Sequence, residues 1–284
     1  MPALFVPLVL KIQPVIKREN MNHNRNIFLG MILILTILTA CSTFAAPATP
    51  TAVPSPTRAP TATPLPLYQQ VKLTSVPAQE TGASPDYKIT TQTPSLTGSD
   101  DPRLKTFNDE MAAIVKSAVD DYRDKMKSFG PAPIQAQSTF DLKYEQTAPA
   151  GNIFSIKFTM EGYVAGMAHP YHVIRSANFD LEKGKDIALS DLFTANSDYL
   201  KTIANYCSDE LSKRDIGFTD MFKQGADPTP DNYQEWNIAS DGLVITFNEY
   251  QVAPYVSGPQ TVTVPYSELK SLVDPKGPLA GFIQ

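Results

Sequence analysis

The stretch Asp101–Gly130 reads DPRLKTFNDEMAAIVKSAVDDYRDKMKSFG and contains the clearest structural signal in the chain. Asp101 and Pro102 favour a helix start, because Asp accepts free amide hydrogens and Pro has the φ of a first turn. Gly130 and Pro131 favour its end. Between them, apolar residues recur at spacings of three and four, the period of one helix face. The sequence therefore predicts an amphipathic helix whose apolar stripe is Leu104, Phe107, Met111, Ile114, Val115, Ala118, Tyr122, Met126 and Phe129.

Strands are predicted on the C-terminal side of this helix. Phe140–Glu145 and Phe154–Glu161 alternate apolar with polar side chains, which is typical of half-buried antiparallel strands. A third strand is predicted over Tyr171–Leu181. On the N-terminal side, Tyr68–Gly98 is polar and has only β-like patches such as Tyr87–Thr90.

The C-terminal part of the chain again combines a helical pattern of apolar residues with strand patterns. A second helix is predicted over Asp198–Lys213, with Cys207 on its inward face. Ser240-Asp241-Gly242 is a hairpin signal. The remaining strands and a short helix are predicted at Glu235–Ala239, Leu243–Asn248, Gln260–Val264 and Tyr266–Val273. Two main helices packed on antiparallel sheet, after a disordered N-terminal stalk, make the predicted fold class α+β.

The N-terminal segment has the layout of an export signal. Ile27–Ala40 is apolar and follows the polar, basic Asn22–Arg25. The run is shorter than the ~20 residues of a membrane-spanning helix and fits a secretory signal peptide over residues 1–40. The true start is Met1 or Met21. Leu38-Thr39-Ala40-Cys41 resembles a bacterial lipobox, which predicts lipidation of Cys41 and a membrane anchor; the alternative is an ordinary signal peptide with a chance cysteine.

A Pro/Thr-rich stalk follows Cys41. Ala46–Pro66 contains seven prolines, which remove amide donors and favour extended polyproline II. Such a segment reaches roughly 60 Å at about 3.1 Å per residue. The predicted organisation is a lipidated stalk over residues 41–67, followed by two parts of an α+β domain over 68–145 and 146–284.

The charge of the chain indicates which classes of partner it can bind, and its cysteine content indicates whether the fold contains a disulfide. The chain has 24 basic and 29 acidic residues. Four basic residues and one acidic residue lie within residues 1–40, so the remainder is the more acidic part. That balance argues against nucleic acid as a partner, because phosphate binding needs a basic surface. It suits a cationic partner. Cys41 is the only other cysteine. If Cys41 is lipidated, Cys207 has no partner within the chain, and the fold is expected to hold without a disulfide.

Several phrases, taken together, resemble a known bacterial domain. They are Gly166-Met167-Ala168-His169-Pro170, Asn178-Phe179-Asp180-Leu181-x-x-Gly184-Lys185, Leu189-Ser190-Asp191-Leu192-Phe193, Asp241-Gly242-Leu243-Val244-Ile245-x-Phe247 and Tyr250-Gln251-Val252-Ala253-Pro254-Tyr255-x-x-Gly258. The set is similar to an extracytoplasmic domain of uncharacterised function. That domain forms the outer part of lysozyme-sensing, RsiV-type anti-sigma factors and a non-catalytic region of PdaC-type peptidoglycan deacetylases.

The resemblance covers roughly Tyr87–Val273 and is strongest over Gly166–Tyr266. It implies an α+β binding or sensor module of the cell envelope, whose partner is a cationic envelope protein such as lysozyme, or peptidoglycan. From the sequence we expect neither the sigma-binding segment, a true transmembrane helix nor the appended deacetylase domain of those relatives. Only the envelope module carries over.

Catalytic and metal-binding signals are weak. His169 and His172 could ligate a metal beside Asp180 or Glu161, but residues three apart on a strand point to opposite faces; the alternative is that His169 bonds backbone in a turn. The serines lie in no Gly-x-Ser-x-Gly elbow. Cys207 reads as a core residue. The acidic residues Asp180, Asp191, Glu235 and Glu249 form no distinctive pair for glycoside hydrolysis.

The segment Glu249–Gly258 is the better candidate for a binding site. Tyr250, Pro254 and Tyr255 are large, and proline stiffens the loop, which suits ligand or protein contact. The alternative is that the tyrosines fold back over the sheet edge. We expect Tyr250, Pro254, Tyr255 and His169 to contact a ligand, with no catalytic residue, metal or cofactor. The competing hypothesis is a cell-wall hydrolase or deacetylase.

Overall fold

The computed structural model describes residues 64–129, 136–149, 151–216 and 219–283. Cys41, the signal segment and most of the stalk lie outside the described residues. The helices in chain order are α1 (Leu67–Gln70), α2 (Pro102–Phe129), α3 (Tyr199–Ser212), α4 (Thr219–Ala226) and α5 (Tyr266–Leu269). The strands are β1 (Lys72–Ala83), β2 (Asp86–Thr97), β3 (Ser138–Gln146), β4 (Ile153–Tyr163), β5 (Tyr171–Asp180), β6 (Lys185–Asp186), β7 (Trp236–Ile238), β8 (Gly242–Phe247) and β9 (Gln260–Pro265).

The first six strands form one sheet in the order in which they occur in the chain. All neighbours are antiparallel except β2 and β3, which are parallel because α2 connects them as a crossover. The predicted helix is confirmed, and its stripe packs on one face of the sheet, except that Phe129 at its last turn is 50% exposed. The core between them includes Phe107, Met111 and Tyr122 of α2. Phe107 contacts the rings of Phe154 and Phe179 edge-on, at 5.6 and 5.4 Å between centroids.

The hairpin β1–β2 is longer than the polar sequence suggested. Its twelve-residue strands pair along their whole length, although only patches such as Tyr87–Thr90 showed strand character. The reason is exposure: most β1 side chains face solvent, so no apolar alternation marks the strand. Pro77 lies within β1, as a strand at a sheet edge allows.

The last three strands form a separate sheet with β8 in the middle. Its core contains Ile203 and Cys207 of α3 together with Trp236, Ile245 and Phe247. The predicted core position of Cys207 is confirmed, at 0% exposure, and Trp236 is also buried, at 5%. Helix α4 was not predicted. Mixed helices and two sheets confirm the α+β class. Within the residues described, no helix is both long and apolar enough to cross a membrane.

The C-terminal sheet covers only one end of the larger sheet. On β4, Phe154, Ile156, Phe158 and Met160 face α2, whereas the odd-numbered residues face the other way. Ser155 on that second face is buried against β7, but Thr159 and Glu161 are exposed. The six-stranded sheet therefore has a bare face that starts where the C-terminal sheet ends.

Candidate functional site

Polar side chains next to the strands of the C-terminal sheet form hydrogen bonds with backbone groups on the free edge of β5. Asn248 accepts a hydrogen bond from the Ile174 amide at 2.7 Å and donates to its carbonyl at 3.1 Å. Glu249 accepts from the His172 amide at 3.1 Å, and Glu235 accepts from the Ser176 amide at 2.6 Å. An edge strand leaves such groups unpaired, so these side chains replace a missing neighbour strand and fix where β5 meets the loop after β8.

A buried polar cluster lies beside this edge. Asn237, fully buried, donates to Ser155 Oγ at 3.0 Å and to the Ile156 carbonyl at 3.1 Å. Ser155 Oγ donates to Asn178 Oδ1 at 2.6 Å. Asn178 in turn donates to the Trp236 carbonyl at 2.8 Å. We call these side chains, with Asn248, Glu249 and Glu235, the polar junction. Because every member has a partner, the junction sets one orientation between the two sheets.

The loop Glu249–Gly258, here called the aromatic loop, is anchored from within. Val252 and Ala253 are buried in the C-terminal core. Gln251 donates to the carbonyls of Gly225 and Asn232 at 3.1 and 2.9 Å. A loop held by its own middle presents its remaining side chains in fixed positions, which lowers the entropy lost on binding.

The structure brings the predicted aromatic residues together. His169 and Tyr255 stack with centroids 3.8 Å apart and planes 27° apart. Tyr250 and Tyr255 stack at 6.1 Å and 29°. Pro254 accepts the Ser257 amide at 3.0 Å in a short 3₁₀ turn. Tyr255 thus packs on the turn that precedes β5, whereas Tyr250 is 55% exposed. Their role in ligand contact remains a prediction.

Two features of the loop are uncommon. Tyr250 has a φ of 64°, a backbone region that bulky residues rarely adopt and that costs about 1–3 kcal/mol where it is held. Val256, beside Tyr255, is 89% exposed. Strain and exposed apolar side chains concentrate at sites that contact other molecules. His169 Nδ1 lies 2.8 Å from the Pro170 carbonyl, so it also bonds backbone, as expected for a turn residue.

Acidic groups surround the aromatic rings. Partial desolvation, with the nearby Glu249, Tyr250 and Glu161, raises the pKa of Tyr255 above its usual range. Glu249 Oε1 lies 2.6 Å from His172 Nδ1 and the Glu249 side chain is 6% exposed. Glu161 is directly opposite His172 across the β4–β5 pair. Two carboxylates, Glu161 and Glu249, therefore lie at the edge of the aromatic loop on either side of His172.

A groove lies on the bare sheet face beside the aromatic residues. It has a volume of about 360 Å³. We call it the sheet groove, and it is lined by Lys88, Thr90, Thr139, Phe140, Asp141, Glu161, Tyr163 and Pro170. Of these residues, the sequence singled out only Glu161 as a site candidate. Alternation within each strand identifies the residues that face outward, but it does not show which outward residues of different strands become neighbours.

The candidate catalytic groups are engaged in structural contacts. His172 Nδ1 bonds Glu249, as in a catalytic pair. The other ring nitrogen of His172, Nε2, is the one that would act on a nucleophile, and it lies 3.9 Å from Glu161 Oε1. Over the ranges of the chain described, no serine, threonine or cysteine bonds to that nitrogen. Glu235 binds Arg175 at 2.9 Å; burial raises the pKa of Glu235, and the Arg175 charge opposes this. Burial raises the pKa of the Cys207 thiol to about 12, which makes it inert.

The remaining acidic and histidine candidates do not converge. Asp180 accepts from the amides of Glu182 and Lys183 at 3.0 and 3.1 Å. Asp191 accepts from the Ala188 amide at 3.2 Å. Among the residues that the structure describes, no cluster of three or more His, Cys, Asp or Glu side chains is placed to hold a metal ion. The His169/His172 pair is split: one ring stacks on Tyr255 and the other bonds Glu249.

Comparisons with known proteins identify relatives of this chain. It is 26% identical over 172 residues to the peptidoglycan-N-acetylmuramic acid deacetylase PdaC of Bacillus subtilis, covering 58% of this chain and 37% of that protein. It is 30% identical over 109 residues to the immunogenic protein MPT64 of Mycobacterium tuberculosis, covering 38% of this chain and 47% of that protein. The chain thus spans less than half the length of either curated relative.

The fold has a solved counterpart. A crystal structure of a DUF3298 family member from Bacteroides fragilis superposes with a TM-score of 0.58 at 16% identity, covering 75% of this chain and 97% of that one. Residues 190–267 match the family described as protein of unknown function (DUF3298). The resemblance to a domain of uncharacterised function is confirmed over this segment.

Proposed function

We propose that this protein is a non-catalytic, extracytoplasmic binding module of the cell envelope that captures a cationic protein through the aromatic loop. The observation that supports this best is the loop itself. Tyr250, at 55% exposure, is held in a strained backbone conformation next to the stacked Tyr255. A fold keeps such strain only where the surrounding contacts over-determine it.

The loop has the properties of a protein-contact surface. Tyrosine buries a large area and loses few rotatable bonds, so rigid tyrosines dominate many interfaces. Val256 adds an exposed apolar side chain beside them. The anchoring of Val252, Ala253 and Gln251 keeps the loop in place before the partner arrives.

Charge favours a cationic partner. Glu161 and Glu249 lie close enough to Tyr255 to raise its pKa, and the chain beyond residue 40 is the more acidic part. Opposite charge speeds encounter and makes it sensitive to salt. A lysozyme-like protein is the most specific candidate, given the resemblance to lysozyme-sensing domains. Peptidoglycan, the material named in the PdaC relative, is the competing ligand.

The location is also part of the proposal. The lipobox-like Leu38-Thr39-Ala40-Cys41 and the Pro/Thr-rich stalk support tethering to the membrane through lipid on Cys41. A tether with the reach of an extended polyproline segment holds the module away from the bilayer. Mass spectrometry of the mature N-terminal peptide tests this: an unmodified Cys41, or cleavage elsewhere, contradicts it.

Calorimetry of the purified chain against lysozyme and against soluble muropeptides tests the binding proposal. We expect lysozyme to bind and the affinity to fall between low and moderate salt. Replacing Tyr250 and Tyr255 together by Ala should weaken binding at least tenfold, whereas the matched control Phe129→Ala, an exposed aromatic on α2, should not. Tyr250→Gly should weaken binding yet keep or slightly raise stability, because Gly adopts positive φ freely.

Three results would contradict the proposal. The first is no heat with lysozyme at any salt concentration. The second is equal binding by the double tyrosine variant and the control. The third is hydrolysis or deacetylation of cell wall by the purified chain, which would favour the enzyme hypothesis.

A further inference from the structure

The sheet groove is a second surface, and its floor is built by strand register. Lys88, Thr139 and Tyr163 form one row across β2, β3 and β4. Thr90, Asp141 and Glu161 form the next row. These residues point away from the α2 core because their neighbours in each strand, such as Ile89 and Phe140, are buried in it. Two short rows of polar side chains therefore lie side by side on a rigid sheet.

The floor presents hydrogen-bond donors and acceptors in a small area. Two threonine hydroxyls both donate and accept, the Lys88 ammonium donates, and the two carboxylates accept. The charges balance locally, because Asp141 pairs with Lys143 at 2.5 Å and Lys88 lies in the same groove as Glu161. A ligand rich in hydroxyl and amide groups, with no net charge, complements this floor.

The side of the groove is apolar. Pro170 and Tyr163 line it, and Tyr255 stacks on His169, the residue before Pro170. A pyranose ring has one face of C–H groups that packs on such surfaces, while its edge carries hydroxyls. The volume of about 360 Å³ lies within the ~300–1,000 Å³ of small-molecule sites.

The groove does not have the composition of a protein interface. Protein contacts need a buried apolar centre. The large apolar side chains found exposed in the described part of the chain are Leu65, Val76, Phe129, Tyr250 and Val256, and none of them lines the sheet groove. The aromatic loop and the sheet groove therefore differ in chemistry although they adjoin.

We propose that the sheet groove binds an uncharged N-acetylhexosamine oligosaccharide. The hydroxyl groups of Thr90 and Thr139 and the carboxylate of Glu161 bond the sugar hydroxyls and the acetamido N–H. Tyr163 and Pro170 contact the ring face and the acetamido methyl. This site is separate from the aromatic loop and does not depend on a protein partner.

Titration of the purified chain with the N-acetylglucosamine hexamer, followed by amide and threonine-methyl NMR shifts, tests the site. We expect shifts confined to β2, β3, β4 and the turn at Pro170. Thr139→Val and Glu161→Gln should each weaken the hexamer at least fivefold. The matched control Thr263→Val, an exposed threonine on β9, should bind like the wild type, and all variants should unfold at wild-type temperature.

The outcomes separate this site from the protein-binding proposal. The double Tyr250/Tyr255 variant should keep hexamer shifts on Thr90 and Thr139, and Thr139→Val should keep lysozyme affinity. No shifts at millimolar hexamer, or wild-type affinity in both groove variants, would overturn the inference and leave the loop proposal intact. Equal affinity for the glucose hexamer cellohexaose would overturn the assignment to acetamido sugars.

Discussion

The six-stranded sheet with α2 and the three-stranded sheet with α3 to α5 each have an apolar core. The contact between the two regions differs from these cores because it contains a buried polar cluster. Each buries its own cluster of apolar side chains, centred on Phe107 in one and Phe247 in the other. Their contact includes a buried polar cluster of Ser155, Asn178 and Asn237, beside apolar residues such as Ile153 of β4. Apolar packing tolerates many arrangements, whereas hydrogen bonds in a buried contact are satisfied by few. The junction therefore fixes the position of the aromatic loop relative to the bare sheet face.

The two regions also differ in what they expose. The larger sheet leaves a polar face open, and the smaller one projects an aromatic loop over its edge. The aromatic surface needs both regions: His169 comes from the turn before β5, and Tyr255 from the loop after β8. A site made at a junction of two units depends on the rigidity of that junction.

The largest expected effect comes from deleting a core ring in either region. Phe107→Ala and Phe247→Ala, both fully buried, should each lower the free energy of unfolding by about 3–5 kcal/mol. Trp236, the only tryptophan, lies in the smaller sheet and reports on that region. Urea unfolding followed by Trp236 fluorescence and by circular dichroism should show the same midpoint shift for Phe107→Ala, because the junction couples the regions.

Coupling between the two regions is contradicted if, for Phe107→Ala, the fluorescence midpoint stays at the wild-type value while the circular dichroism midpoint shifts. The regions would then unfold independently. Phe129→Ala, at a half-exposed ring, is the control and should change stability by less than about 0.5 kcal/mol.

A smaller effect is expected from the junction itself. Asn237→Ala leaves the Ile156 carbonyl without its side-chain donor and removes one bond from Ser155 Oγ. We expect a loss of about 2–3 kcal/mol, since unsatisfied buried polar groups are costly. Denaturant unfolding measures it, with Asn205→Ala, an exposed asparagine on α3, as control. Equal stability of the two variants would show that the junction is not a structural determinant.

The smallest effect concerns a carboxyl pair within the larger region. Burial, and then the hydrogen bond and charge of Asp186 on β6, raise the pKa of Glu110 on α2 from 4.5 to about 9. The folded state therefore keeps a proton that the unfolded state has lost between these two pH values. Stability from this group is complete below about pH 4.5 and declines as pH rises toward 9.

Glu110→Gln should remove that decline. Because Glu110 is only half-buried, we discount the effect for solvent screening and expect the variant to gain about 1 kcal/mol over wild type between pH 5 and pH 9. Thermal unfolding across this pH range measures the difference, with Glu268→Gln on α5 as control. A pH-independent difference would show that the pair does not share a proton.

The sequence determined the elements whose pattern is local. The apolar stripe of α2 matched its bounds and, apart from the exposed Phe129, its packing against the core, and alternation separated the inward from the outward side chains of β4. The core position of Cys207 and the loop that holds Tyr250, Pro254 and Tyr255 were also readable. Periodicity works here because burial of one face is decided by spacing within one element.

The tertiary structure decided everything that depends on pairing between distant elements. The β1 strand forms although few of its side chains are buried, because its backbone pairs with β2. The sheet groove exists because register sets Thr90, Asp141 and Glu161 in one row. The stack of His169 on Tyr255 joins the turn before β5 to the loop after β8, where Asn248 and Glu249 also bond the edge of β5. Such contacts follow from the summed free energy of two packed sheets, which no local period in the sequence encodes.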